Sequence, residues 1–163
     1  MKNILIVCVD KELRKDLSKA MATQLKCLYL DVDDLLNFEI LNQENTSLKE
    51  ANNYLQAMES KCINRALEYK NCIITISHEL FVSNDNFNLI KDVKKIFIFL
   101  SKAYFVARTN KNDRHKLEQE LCLFDEISFL IKSNCDIVIE KGIKTIEQLS
   151  QEIIENLQQK NSH

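Results

Sequence analysis

A chain of 163 residues, 45% hydrophobic and 28% charged, is long enough to bury a full core in one domain without disulfide or metal staples. Its formal charge of −2 excludes a grossly basic protein and predicts no strong attraction to nucleic acid or to anionic membranes. Average usage would supply roughly a dozen glycines at this length; the chain has one, Gly142, and no proline, which excludes glycine-rich phosphate loops of the usual build.

In chain order, Ile4-Leu5-Ile6-Val7-Cys8-Val9-Asp10 begins as a strand buried on both faces. Leu13, Leu17, Ala20, Met21 and Leu25 then share one helical stripe, with Asp10 as its N-cap. Cys27–Leu30 reads as a second strand, ending at Asp31-Val32-Asp33-Asp34. A helical stretch opens at Leu35 and runs, with a break over Asn42–Ser47, to about Tyr69. Cys72–Ile76 is a third strand, closing on Ser77-His78-Glu79. Phe81–Ile90 is a weaker helix or loop containing a turn signal at Ser83–Asn86. Lys95–Leu100 is a fourth strand, Ser101–Arg108 looks helical, Thr109–Lys116 is a polar, basic loop, and Leu117–Ile131 returns to a helical period. Asp136–Ile139 is the fifth strand, Gly142 marks a turn, and Thr145 caps a last helix from Ile146 to about Gln159.

Five short buried strands alternating with helices predict an α/β fold, a three-layer doubly wound parallel sheet of five strands. One domain over residues 1–159 with a frayed tail at 160–163 is the expectation. The six cysteines form no Cys-x-x-Cys pair and no Cys/His cluster with zinc-ligand spacing, so they read as reduced, largely buried thiols. The start lacks a signal-peptide core and no apolar run is long enough to span a membrane, which predicts a cytoplasmic protein.

Several segments together resemble the shikimate kinases, P-loop kinases of small molecules. Ala20–Leu25 followed by Leu30-Asp31-Val32-Asp33-Asp34 is similar to that family's first-helix ending and Asp-Thr-Asp strand end. Glu59 falls where the family's Phe-Arg-x-x-Glu element has its glutamate, and Cys135–Ile139 with Ile146–Leu149 resembles its Ala-Asp-x-x-Ile ending and last helix. The resemblance implies a P-loop kinase fold, with Asp33 on the substrate's hydroxyls, Asp31 on the magnesium side, and Arg108 and Arg114 in the lid.

The phosphate loop departs from that pattern. A Walker A motif, Gly-x-x-x-x-Gly-Lys-[Ser/Thr], needs glycines so that backbone N–H groups can cradle phosphates. The matching positions hold Cys8, Leu13, Arg14 and Lys15: no glycine, arginine for the lysine, lysine for the magnesium-binding hydroxyl. The shortened junction suggests that the first helix begins near Asp10. Gln56 replaces the family's substrate arginine, and Ser77-His78-Glu79 replaces its Gly-Gly-Gly segment.

The remaining candidates each have two readings. Asp31, Asp33 and Asp34 form either a metal site at a strand end or a solvated end with Asp34 capping the next helix, and the second is expected. Arg14 and Lys15 either hold a phosphate or form a solvated helix face, again with the second expected. His78 and Glu79 are a candidate acid/base pair, and Cys8 is either an activated thiol near a helix N-terminus or a core thiol. The chain also resembles a response-regulator receiver over its first strand and helix, although the acidic pair and phosphorylatable aspartate places hold Cys8-Val9 and Ser77-His78.

The expectation for function is therefore a shikimate-kinase-like binding or interaction module that has lost phosphotransfer, with no catalytic residue, metal or cofactor. Its partner would be a protein or small molecule at the sheet's carboxyl edge, and a homodimer could form through the Leu48–Leu67 helix. The alternative is a living small-molecule kinase that uses Mg-ATP at an altered phosphate site around Arg14, Lys15 and Arg114. A divergent receiver is the third reading.

Overall fold

Side chains alternate across a strand, so a strand buried at every position must be covered on both faces. Strand β1, Ile4–Cys8, is buried at all five positions and forms the middle of a five-stranded sheet. The computed structural model describes residues 1–41, 48–83, 86–104 and 114–160. Around β1 run α1 (Lys11–Leu25), β2 (Leu28–Asp31), α2 (Val32–Leu41), α3 (Leu48–Glu68), β3 (Cys72–Ser77), α4 (His78–Val82) and α5 (Asn86–Leu89). They are followed by β4 (Lys94–Phe99), α6 (Arg114–Asn134), β5 (Ile137–Glu140) and α7 (Ile146–Lys160).

The strand order is β2-β3-β1-β4-β5, and every neighbouring pair is parallel. Ile6 of β1 lies between Thr75 of β3 and Ile96 of β4. A receiver sheet sets β1 between β2 and β3; here β3 sits between β2 and β1, which removes the receiver reading on topology alone.

Alternation along β1 feeds two cores. Ile4, Ile6 and Cys8 pack with Leu13, Leu17 and Met21 of α1 and with Leu149 and Ile153 of α7. Leu5 and Val7 pack on the other face with Val32 and Leu36 of α2, Met58, Ile63 and Ala66 of α3, and Phe81 of α4. The two outer strands are less covered, and β5 alternates buried Ile137 and Ile139 with exposed Val138 and Glu140. No helix among the described residues is long and apolar enough to cross a membrane.

Several element ends differ from expectation. α2 starts at Val32 rather than Leu35, because Asp31 closes β2 and accepts the Asp34 N–H at 3.0 Å, doing the capping expected of Asp34. His78 and Glu79 are the first turn of α4, which Ser77 caps by accepting the Leu80 N–H at 3.2 Å. α6 begins at Arg114, inside the predicted basic loop: an apolar period marks only a helix's buried face, and a polar first turn adds nothing to it. The Asn42–Ser47 break, Asn84 and Asp85 of the turn signal, residues 105–113 including Arg108, and the tail at 161–163 lie outside the described residues.

Three expected signals are realised. Asp10 caps α1, accepting the Leu13 N–H at 3.0 Å. Thr145 and Gln148 form a reciprocal capping box on α7, at 3.2 and 2.9 Å. Gly142 adopts φ +52°, with open space where a Cβ would stand, so its backbone angle is what calls for glycine there.

Candidate functional site

In a parallel sheet the carboxyl ends of the strands and the N-termini of the following helices meet at one edge, where open α/β proteins bind ligands. Here the junction at the central strand is short. Only Val9 and Asp10 separate β1 from α1. The Asp10 carboxylate spends one oxygen on the first-turn N–H of Leu13 and accepts the Tyr104 hydroxyl on the other at 3.4 Å. The chain thus supplies its own anion to the positive end of α1.

Arg14 lies one turn further on. Helical side chains lean toward the N-terminus, which turns its guanidinium back under the strand ends. The residue is 2% exposed. Its Nη1 donates to the Cys8 carbonyl at 3.1 Å, and its Nη2 stands 3.7 Å from Asp33 Oδ2. The same Asp33 oxygen accepts the Ser77 N–H at 2.8 Å. One arginine therefore links the end of β1, the first turn of α2 and the end of β3. Its Nε is buried without a hydrogen-bond partner.

The expectation of a solvated Arg14 and Lys15 face is corrected. α1 packs against both the sheet and α7, so its buried arc is wider than one aliphatic stripe. Arg14, Ser18, Met21 and Ala22 form a second buried row at helical spacing. Lys15 is partly exposed but engaged: its Nζ reaches both oxygens of Asp34, at 2.8 and 2.9 Å, and lies 3.8 Å from Asp31. The hydrogen bond to Asp34 holds its pKa above the ordinary lysine value.

Asp31 is buried and accepts from Thr75 Oγ1 at 3.0 Å, from the Asp34 N–H at 3.0 Å and from the Tyr29 hydroxyl at 3.5 Å. Asp31 and Asp34 therefore share Lys15, whereas Asp33 turns to Arg14 and Ser77. Among the described residues no group of three or more His, Cys, Asp or Glu side chains could hold a metal ion.

His78 Nε2 stands 3.8 Å from Glu79 Oε1. Burial lowers the His78 pKa, with Arg14 acting in the same direction against Glu79 and Asp33. Glu59 accepts the Ser83 hydroxyl at 3.3 Å; desolvation raises its pKa, Ser83 opposes this, and Asp33 adds to it. Burial pushes the Cys8 thiol up to about 12, which is the core-thiol reading, and Leu13 is likewise a core residue. Cys62 and Cys72 are buried as well, whereas Cys27 and Cys135 are intermediate and Cys122 is exposed, so burial does not extend to all six.

The structure thus gathers the predicted residues into two neighbouring clusters, Cys8, Arg14 and Asp33 in one and Lys15, Asp31 and Asp34 in the other, with His78 and Glu59 at the border of the first. Arg114 is the first residue of α6. Sequence reading does not single out Thr75 or Tyr104, and it names Ser77 only as part of a replaced glycine segment and of a missing receiver motif, not as a partner of Asp33. The signal for Thr75 and Ser77 is a pair of hydroxyls in the otherwise aliphatic run Cys72–Ser77.

A family model described as shikimate kinase matches residues 15–158, nearly the whole chain. The chain belongs to the shikimate kinase family. The matched span begins one residue after Arg14, leaving β1 and the first turn of α1 outside it.

Solved structures agree on the fold of this family member. Shikimate kinase from Aquifex aeolicus superimposes with a TM-score of 0.74 at 20% identity, covering 98% of each chain. The enzyme from Acinetobacter baumannii, in complex with shikimate, gives 0.80 at 14% identity, covering 98% of this chain and 94% of that one. Shikimate kinase from Bacteroides thetaiotaomicron gives 0.78 at 15% identity over 96% and 98%. A separate, local similarity is to isoleucine–tRNA ligase from Buchnera aphidicola, 40% identical over 74 residues, which are 45% of this chain. The match spans 8% of that ligase.

Proposed function

We propose that this shikimate-kinase-family chain has given up ATP-dependent phosphotransfer and serves as a binding or interaction module at the carboxyl edge of its sheet. One observation carries the reading: the two-residue junction between β1 and α1, capped by Asp10 and crossed beneath by buried Arg14. A phosphate-binding loop presents several free backbone N–H groups at a helix N-terminus. Here the Leu13 N–H is bonded to Asp10, and the Arg14 N–H is already in the helix ladder, bonded to the Asp10 carbonyl at 3.0 Å.

Charge supports the same reading. At the ends of β1–β3 the cations Arg14 and Lys15 are both engaged with the aspartates Asp31, Asp33 and Asp34. Phosphoryl transfer depends on positioning and on neutralising the charge of the transferred group. A triphosphate brought here would meet carboxylates and displace Lys15 from Asp34. The residues of this junction do not fit Mg-ATP. The partner is a protein or a small molecule that reads the surface formed by Asp34, Glu79 and the ends of β1–β3; nucleic acid and membranes are not expected.

Two measurements on the purified protein test this. Titration with Mg-ATP in a calorimeter is expected to give no heat, and ATP with shikimate is expected to give no ADP above the buffer rate. ATP-dependent turnover of shikimate would overturn the proposal and restore the kinase reading. Micromolar Mg-ATP binding that disappears in Arg14→Ala would count equally against it.

A further inference from the structure

Opposite the carboxyl edge, at the amino ends of β1, β4 and β5, a cleft of about 670 Å³ opens between α7 and the end of α1. That volume lies within the range of small-molecule sites. Its floor is apolar: Ile4 starts β1, Val93 precedes β4, Leu25 ends α1, and Ile154 and Leu157 come from α7. Leu25 and Leu157 are only partly buried at the border of the α1/α7 core, and Val93 at the border of the core on the other face.

The rim is basic. Lys2, Lys91 and Lys94 line the cleft together with Asp92 and Asp136. Asp136 is already satisfied: it accepts the Lys95 N–H at 2.8 Å, with the Lys95 ammonium 3.7 Å away. Lys95 itself is drawn inward, donating to the carbonyls of Ile90, Lys91 and Val93. Three rim lysines therefore face one acidic neighbour, Asp92, whose charge is not committed to Lys95. An apolar floor under an excess of cations fits a ligand with an apolar body and an anionic head.

We propose that this cleft binds small amphipathic anions, an aliphatic chain or aromatic ring carrying one carboxylate, sulfonate or phosphate. The body lies over Ile4, Ile154 and Leu157, and the head pairs with Lys91 and Lys94. The site is independent of the carboxyl edge, so its test and the ATP titration fail separately.

The probe is anilinonaphthalene sulfonate, followed by fluorescence on the full chain at neutral pH, with octanoate as competitor and octanol as its uncharged counterpart. The expected results are saturable enhancement, displacement by octanoate, and weaker displacement by octanol. Leu157→Asp places a charge in the floor and is expected to weaken binding at least about tenfold. Should that variant lose its cooperative thermal transition, the surface pair Lys91→Glu/Lys94→Glu decides instead, with an expected several-fold loss and a weaker dependence on salt. Octanoate that fails to displace the probe, or unchanged affinity in a folded variant of either kind, overturns the proposal.

Discussion

The two edges of the sheet are built on opposite plans. At the carboxyl edge, where helix N-termini gather, the polar groups are consumed by one another: Asp10 on the start of α1, Asp31 on the start of α2, and Asp33 shared by Arg14 and Ser77. At the amino edge apolar side chains are lined by lysines, and the Lys95 ammonium is turned away into backbone carbonyls. A fold's usual ligand position is therefore not a property of its topology alone. The strand order puts helix N-termini at the carboxyl edge, and the side chains there decide whether those N-termini are offered to a ligand or kept by the chain.

The largest expected break in that contrast comes from Arg14→Met. Methionine keeps much of the stem's packing but removes the donor to the Cys8 carbonyl and leaves Asp33 without its cation. Removing one partner of a buried pair typically costs about 3–5 kcal/mol; because Asp33 is partly exposed, a loss near about 3 kcal/mol is expected from urea unfolding. If Arg14→Met/Asp33→Leu recovers none of that loss, the pair is not coupled in the way described. A smaller loss, about 1 kcal/mol, is expected for Asp10→Ala, which removes the α1 cap and the acceptor of the Tyr104 hydroxyl. An unchanged unfolding midpoint would mean that the closed junction does not depend on its carboxylate.

Much of this architecture is legible in the residues themselves. The aliphatic run at Ile4 announces a strand covered on both faces, and Asp10, Thr145 and Gly142 act at the positions their chemistry suggests. The same reading misses the character of the site. Arg14 looks solvated because charge normally marks a helix's outer face, and its burial depends on the ends of β1 and β3 and the first turn of α2 meeting around it. Asp34 looks like the cap because it precedes an apolar pair, yet β2 ends one residue before α2 begins, and Asp31 takes that role. Local patterns locate elements; the pairing of charges across β1, β2 and β3 is a property of the register between strands distant in sequence.

Glu59 offers the smallest and most selective test, because its effect changes with pH. It lies on α3 at the border of the network, with the Ser83 hydroxyl as its hydrogen-bond partner and Asp33 as a like charge. Desolvation leads the causes that raise its folded-state pKa above the ordinary 4.5, so the native state holds that proton more tightly than the unfolded chain does. The stability contributed by protonation is fully present below the unfolded value and is lost as pH rises through the folded one. At neutral pH the ionised carboxylate is therefore slightly unfavourable in the fold, and Glu59→Gln, which keeps an acceptor for Ser83, is expected to be more stable by a few tenths of a kcal/mol, the scale of a screened, partly exposed charge. That advantage should shrink as pH falls and vanish below about 4.5. Thermal unfolding of both proteins across this range reads the difference. A variant less stable than the parent at neutral pH would mean that Glu59 is held by a favourable charge contact and does not border a network already rich in carboxylates.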